Sequence, residues 1–99
     1  MEITGPLCRA ARALVQWPRE RLAEQCGITK KAIREFETAG VDPGAGVKAK
    51  LKETLELGGA VFIPEGDQGA GVRLRHTRKD VRALNRLEGE GGPVGEDDV

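Results

Sequence analysis

Apolar residues recur through the first half of the chain at the three- and four-residue spacing of amphipathic helices, and capping residues and glycines interrupt them at short intervals. Thr4 is placed to cap a first helix running to about Val15 or Gln16. Within it Leu7, Ala10, Ala11 and Leu14 form a one-sided apolar stripe, with Arg9 and Arg12 directed away from it. Pro18 suits the first turn of a second, short helix, because its missing N–H has no partner to lose there. Leu22, Ala23 and Cys26 supply that helix's buried side, and Gly27 ends it as a left-handed cap. Thr29 then caps a third helix running to about Thr38, with Ile28 stapled onto Ile33. Two helices this short and this close in sequence must cross steeply, as in a helix-turn-helix.

Gly40 to Gly46 has the composition of a loop. A fourth helix follows, with Val47, Leu51 and Leu55 at four-residue spacing, Lys48, Lys50 and Lys52 outward, and Gly58 and Gly59 as its stop. Ala60 to Ile63 and Val72 to Leu74 read as two strands of a hairpin around a turn-rich connection. Thr77 to Leu87 has the spacing of a short fifth helix. From Gly89 onward glycine, proline and acids dominate, as in a disordered tail. The pattern divides the chain into a domain over residues 1–76, a short helix over 77–88 and an acidic tail over 89–99.

On a helical wheel Ala32, Ile33 and Phe36 gather on one side of the third helix. Lys30, Lys31, Arg34, Glu35 and Thr38 fan across the other. Any surface helix carries charge on its outer side. This one follows a short helix and a glycine turn, and its outer side has the donors that meet guanine O6 and N7 and an acceptor for cytosine N4. The overall charge of zero hides an asymmetry. All 16 basic residues lie at or before Arg86 among 11 acidic ones, whereas the remaining thirteen residues carry five acids and no base.

A chain of 99 residues holds one core and buries only roughly 60–65% of its unfolded surface, so self-association would help it. Cys8 and Cys26 have neither CxxC spacing nor a histidine cluster nearby. They read as buried small side chains, with no metal and no cofactor expected. Trp17 reads as a core plug, His76 as an exposed residue, and the glycines from Gly66 to Gly71 as turn residues, since no Lys-Ser/Thr follows them. No stretch has the length or apolarity of a membrane span or a secretory leader, so a cytoplasmic protein is expected. No nucleophile–base pair or paired carboxylates suggest an enzyme.

The segment from Trp17 to Glu37 resembles the Cro-like, or XRE, helix-turn-helix family. Leu22, Ala23, Gly27, Ile28, Thr29, Ile33, Phe36 and Glu37 stand at that family's characteristic places. The run Cys8 to Leu14, with Phe62 to Glu65 and Gly71 to Leu74, is similar to a compact proteobacterial subgroup, so the resemblance covers about residues 3–75. It implies a mainly α, compact four- to five-helix lambda-repressor-like domain with a short C-terminal β-hairpin. It also implies a homodimer that binds double-stranded DNA in sequence-specific fashion and regulates transcription. An open two-stranded edge in so small a domain wants a partner, so the hairpin and fourth helix are the expected dimer surface. Carried across by position, Lys30, Lys31, Arg34 and Glu35 are base readers, Thr38 completes their face, and Thr29 meets phosphate. Two places depart from the family. Its capping Ser or Thr is Pro18 here, and its DNA-contacting Gln is Arg19, which remains a candidate for phosphate or guanine. An alternative reading makes the chain the antitoxin of a toxin–antitoxin pair, its C-terminal segment from residue 77 binding a protein partner.

Overall fold

The computed structural model describes residues 1–77. Helix α1 spans Gly5–Val15, with Thr4 Oγ1 accepting the Leu7 N–H at 3.3 Å and a proline in the first turn. It stops at Gln16, which adopts the left-handed conformation (φ 62°) while the Trp17 N–H reaches back to the Arg12 carbonyl. Helix α2, Arg19–Cys26, starts just after Pro18, so the proline occupies the cap position rather than the first turn. Gly27 ends α2 at φ 73°, its N–H returning to the Ala23 carbonyl at 2.9 Å. Two residues later Thr29 Oγ1 accepts the Ala32 N–H at 3.1 Å and opens α3, Lys30–Ala39. Gly40 closes α3, again left-handed.

The loop before α4 is shorter than composition suggests, because α4 spans Ala45–Leu57 and takes in Gly46. Asp42 shapes this loop: its Oδ1 accepts the Gly44 N–H at 2.7 Å. Strands β1, Ala60–Ile63, and β2, Gly71–Leu74, pair antiparallel with Ala60 opposite Leu74 and Ile63 opposite Gly71. Among the described residues, four helices and one two-stranded hairpin therefore make a mainly helical domain with a single core. Leu22, Ile33, Leu51, Leu55 and Val15 are fully buried at its centre, with Trp17 filling one side and Phe62 closing it from the hairpin. The fifth helix expected from Thr77 to Leu87 lies, beyond Thr77 itself, outside the described residues, as does the acidic tail. No helix among the described residues is long and apolar enough to cross a membrane.

Two expectations about facing are corrected. Helix α1 buries Gly5, Cys8, Ala11 and Val15, whereas Leu7, Ala10 and Leu14 are only half-buried. The helix is thus turned by about one residue, roughly 100°, and Arg12 points inward rather than away. The cause is close packing at Gly5, where a Cβ would stand 2.2 Å from the Phe36 carbonyl oxygen and 3.2 Å from the Glu37 Cα. With no side chain there, α1 lies directly on the α3 backbone and presents Cys8 and Arg12 to it. The second correction is Lys48, which is buried rather than outward: its Nζ binds Asp42 at 2.9 Å and Glu2 at 3.1 Å. That ammonium ties the loop before α4 to the N-terminal segment.

Replacing Gly5 by alanine should therefore cost ~3 kcal/mol or more in denaturant unfolding, well beyond the ~1 kcal/mol expected for Thr4→Ala, which loses only a cap. A neutral or stabilising Gly5→Ala, as for an ordinary helical glycine, would show that α1 and α3 do not meet there.

Candidate functional site

Helix α3 has two chemically distinct sides. On the inner side Ile33 and Phe36 enter the core, and Ala32 is half-buried beside them. Lys30, Lys31, Arg34 and Thr38 are exposed on the outer side, and Glu35 is half-buried at its margin. The structure thus brings together five of the seven residues singled out from sequence. Thr29 lies at the start of the same helix, its hydroxyl oxygen occupied by the cap.

The charges on the outer side are not equivalent. Lys30 Nζ lies 2.6 Å from Glu20 Oε2 on α2, and that ammonium draws the Glu20 carboxyl below its ordinary range. The Thr38 hydroxyl donates to the Arg34 carbonyl at 2.7 Å and so follows the helix backbone. Neither Lys31 nor the Arg34 guanidinium has an ion-pair partner among the described residues. The free cationic donors are therefore Lys31 and Arg34, one helical turn apart.

Arg19 is placed differently from its candidate role. Its Nε donates to Glu37 Oε1 at 3.0 Å, and its side chain is only 24% exposed. Glu37, on the inner side of α3, has a fully buried side chain and is the centre of a four-donor cluster. Arg12 reaches it from α1 through Nε to Oε2 at 2.8 Å and Nη2 to Oε1 at 2.7 Å, a two-pronged guanidinium–carboxylate pair. The Cys8 thiol donates to Oε2 at 3.2 Å. The third nitrogen of Arg12 binds the Trp17 carbonyl at 3.1 Å, which anchors the connection between α1 and α2. Burial by itself pushes the Glu37 carboxyl up, but hydrogen bonds from Arg12, Cys8 and Arg19 and the Arg12 charge carry it below its ordinary value. Burial, with the Glu37 carboxylate adding to it, pushes the Cys8 thiol strongly up. Cys8 is thus a protonated donor rather than a nucleophile.

Sequence reasoning matched Glu37 to a family position without assigning it a contact, and it set Arg12 on the wrong side of its helix. A local signal for Glu37 existed. It stands four residues after Ile33 and next to Phe36, so helical periodicity places a carboxylate on the apolar side of α3. A carboxylate there requires a buried cation.

The remaining residues behave as spacers or core. Cys26 is buried, its sulfur 3.8 Å from the Lys50 carbonyl. Trp17 is 6% exposed with the Arg21 guanidinium 4.6 Å from its ring centroid, and His76 is exposed. The sequence matches no protein-family model and no curated protein.

The cluster makes stability depend on acid. Because Glu37 titrates lower in the folded protein than its ordinary 4.5, its contribution is fully present above that pH and disappears as pH falls through the folded value. Glu37→Gln should lose about 3–5 kcal/mol at neutral pH by leaving two guanidinium groups without their anion. It should also flatten the acid limb of the stability–pH curve below about pH 5. Chemical denaturation of both proteins across that range checks it; parallel acid limbs would mean that Glu37 is not the charged hub.

Proposed function

We propose that this chain is a transcriptional regulator of the helix-turn-helix type that binds double-stranded DNA as a homodimer, with α3 seated in the major groove. One observation carries this reading. Helix α3 follows α2 after only Gly27, Ile28 and Thr29, is clamped to the core along its inner side, and offers Lys31 and Arg34 unpaired on its outer side. A clamped backbone with free guanidinium and ammonium donors is what direct readout of base edges requires, since register must be held while the side chains select.

The roles follow from each side chain's freedom. Arg34 is the strongest base reader, because a planar guanidinium can donate to guanine O6 and N7 together. Lys31 and Lys30 supply positive charge at the helix start, Lys30 after leaving Glu20. Glu35 and Thr38 border the contact. Thr29 stands where the first α3 N–H groups meet a phosphate. Arg19 acts from behind: its Nε stays on Glu37 while the rest of its partly exposed side chain is a candidate for a phosphate. The resemblance of residues 3–75 to the Cro-like family and the basic excess before Arg86 agree with this reading.

Selection of bound duplexes from a random pool tests the reading directly; a two-fold symmetric consensus is expected, and recovery of no consensus would refute it. On the selected site Arg34→Ala should cost about 1–3 kcal/mol and relax preference at one base position. Lys31→Ala should weaken all sequences more evenly and reduce the salt dependence of binding. Competition binding at two salt concentrations separates these outcomes, and equal losses for Arg34→Ala on specific and random DNA would remove it from base readout.

A further inference from the structure

Helix α4 has a side that neither the core nor the hairpin covers. Gly46, Ala49, Lys50, Glu53 and Leu57 are all exposed, and at 3.6 residues per turn they fall within roughly 100° of arc. They lie opposite the buried Lys48, Leu51, Thr54 and Leu55. Leu57 is 82% exposed, the most exposed large apolar side chain among the described residues. Nothing lies within 4 Å of where a Gly46 Cβ would be, so the surface there is open. Two depressions share Lys50 and Glu53 as their common border. One is floored by Gly46 and Ala49, the other by Trp17, Gln25 and Thr54 beside Leu57.

This side is complementary to itself. Lys50 and Glu53 carry opposite charges, and neither has an ion-pair partner among the described residues, whereas neighbouring Lys52 and Glu56 already satisfy each other at 2.9 Å. An antiparallel copy related by a two-fold axis between Leu51 and Lys52 brings Lys50 opposite the partner's Glu53, and Glu53 opposite the partner's Lys50. The same axis, with no further adjustment, sets Leu57 over the partner's Gly46, because both pairs are centred on that point of the helix. One symmetry operation thus pairs both charges and covers the exposed leucine with the surface that lacks a side chain, as an isologous contact requires.

We propose that the outer side of α4 is the interface between two copies of this chain, packed antiparallel with Leu57 on Gly46 and Lys50 paired to Glu53. It rests on the homodimer of the preceding section and names its surface: α4 alone, without the hairpin that sequence reasoning had joined to it. The association needs no DNA, so it is measured without any, and failure of DNA recognition leaves its result unaffected.

Sedimentation equilibrium of the full chain over a range of concentrations is the test. Wild type should dimerise reversibly, and Leu57→Glu should weaken the dimer at least about tenfold by placing a charge in each of the two symmetry-related Leu57–Gly46 contacts. Lys50→Glu and Glu53→Lys should each weaken self-association by about tenfold through like-charge opposition. An equimolar mixture of those two variants should associate more tightly than either alone, since every facing pair is then of opposite sign. A folding defect cannot produce that preference. A chain that stays monomeric, or a dimer unchanged by Leu57→Glu with no preference in the mixture, overturns the proposal.

Discussion

A single buried carboxylate sets the geometry of the helical half of this protein. Taking the Glu37 charge out of water costs several kcal/mol unless its oxygens are well satisfied, and here both are. Arg12 and Arg19 share Oε1, while Arg12 and Cys8 share Oε2. No buried side-chain nitrogen or oxygen among the described residues is left without a hydrogen-bond partner. Because the four donor atoms come from α1 and α2 and the acceptor from α3, the three helices can meet in one arrangement only if all the bonds are to form. Well-packed apolar side chains of similar volume can match such a cluster in net stability. It would not match its directionality, since two fork-shaped guanidinium groups fix rotation about the α3 axis as well as distance.

That rotational lock links core to surface. With Glu37, Ile33 and Phe36 turned inward, helical geometry leaves Lys31, Arg34 and Thr38 no direction but outward. Gly5 works to the same end, since the bare backbone contact between α1 and α3 lets Arg12 and Cys8 reach the carboxylate. The one outer cation that is restrained, Lys30, is held by Glu20 of α2, an exposed pair that a competing phosphate can exchange at small cost. On the proposed reading, precision resides in the buried cluster and adaptability in the exposed side chains.

Local sequence signals located the elements well, because caps and stops are written in adjacent residues. Thr4, Thr29, Gly27, Gly40 and the Gly58-Gly59 pair act where short-range chemistry places them. The candidate outer side of α3 was likewise legible, as it depends on the period of one helix. What periodicity missed were pairings between distant positions. Arg12 and Glu37 stand 25 residues apart and Arg19 and Glu37 18 apart. A charged residue is read as outward unless its partner is already known. The same blindness misplaced Lys48, whose partners Asp42 and Glu2 lie in irregular segments. The turn of α1 followed from one further fact beyond reach of a hydropathy pattern, that Gly5 serves as a contact surface rather than as a weak helix former.

On the proposed reading, the exposed side of α3 meets DNA while its inner side stays fixed to Glu37. Amide chemical shifts recorded during titration with duplex DNA examine both halves at once. Perturbations should concentrate from Thr29 to Thr38 and at Arg19, with the Arg12 and Arg19 side-chain Nε–H resonances retained throughout. Perturbations confined to other helices, or loss of the Arg12 resonance as DNA is added, would contradict it.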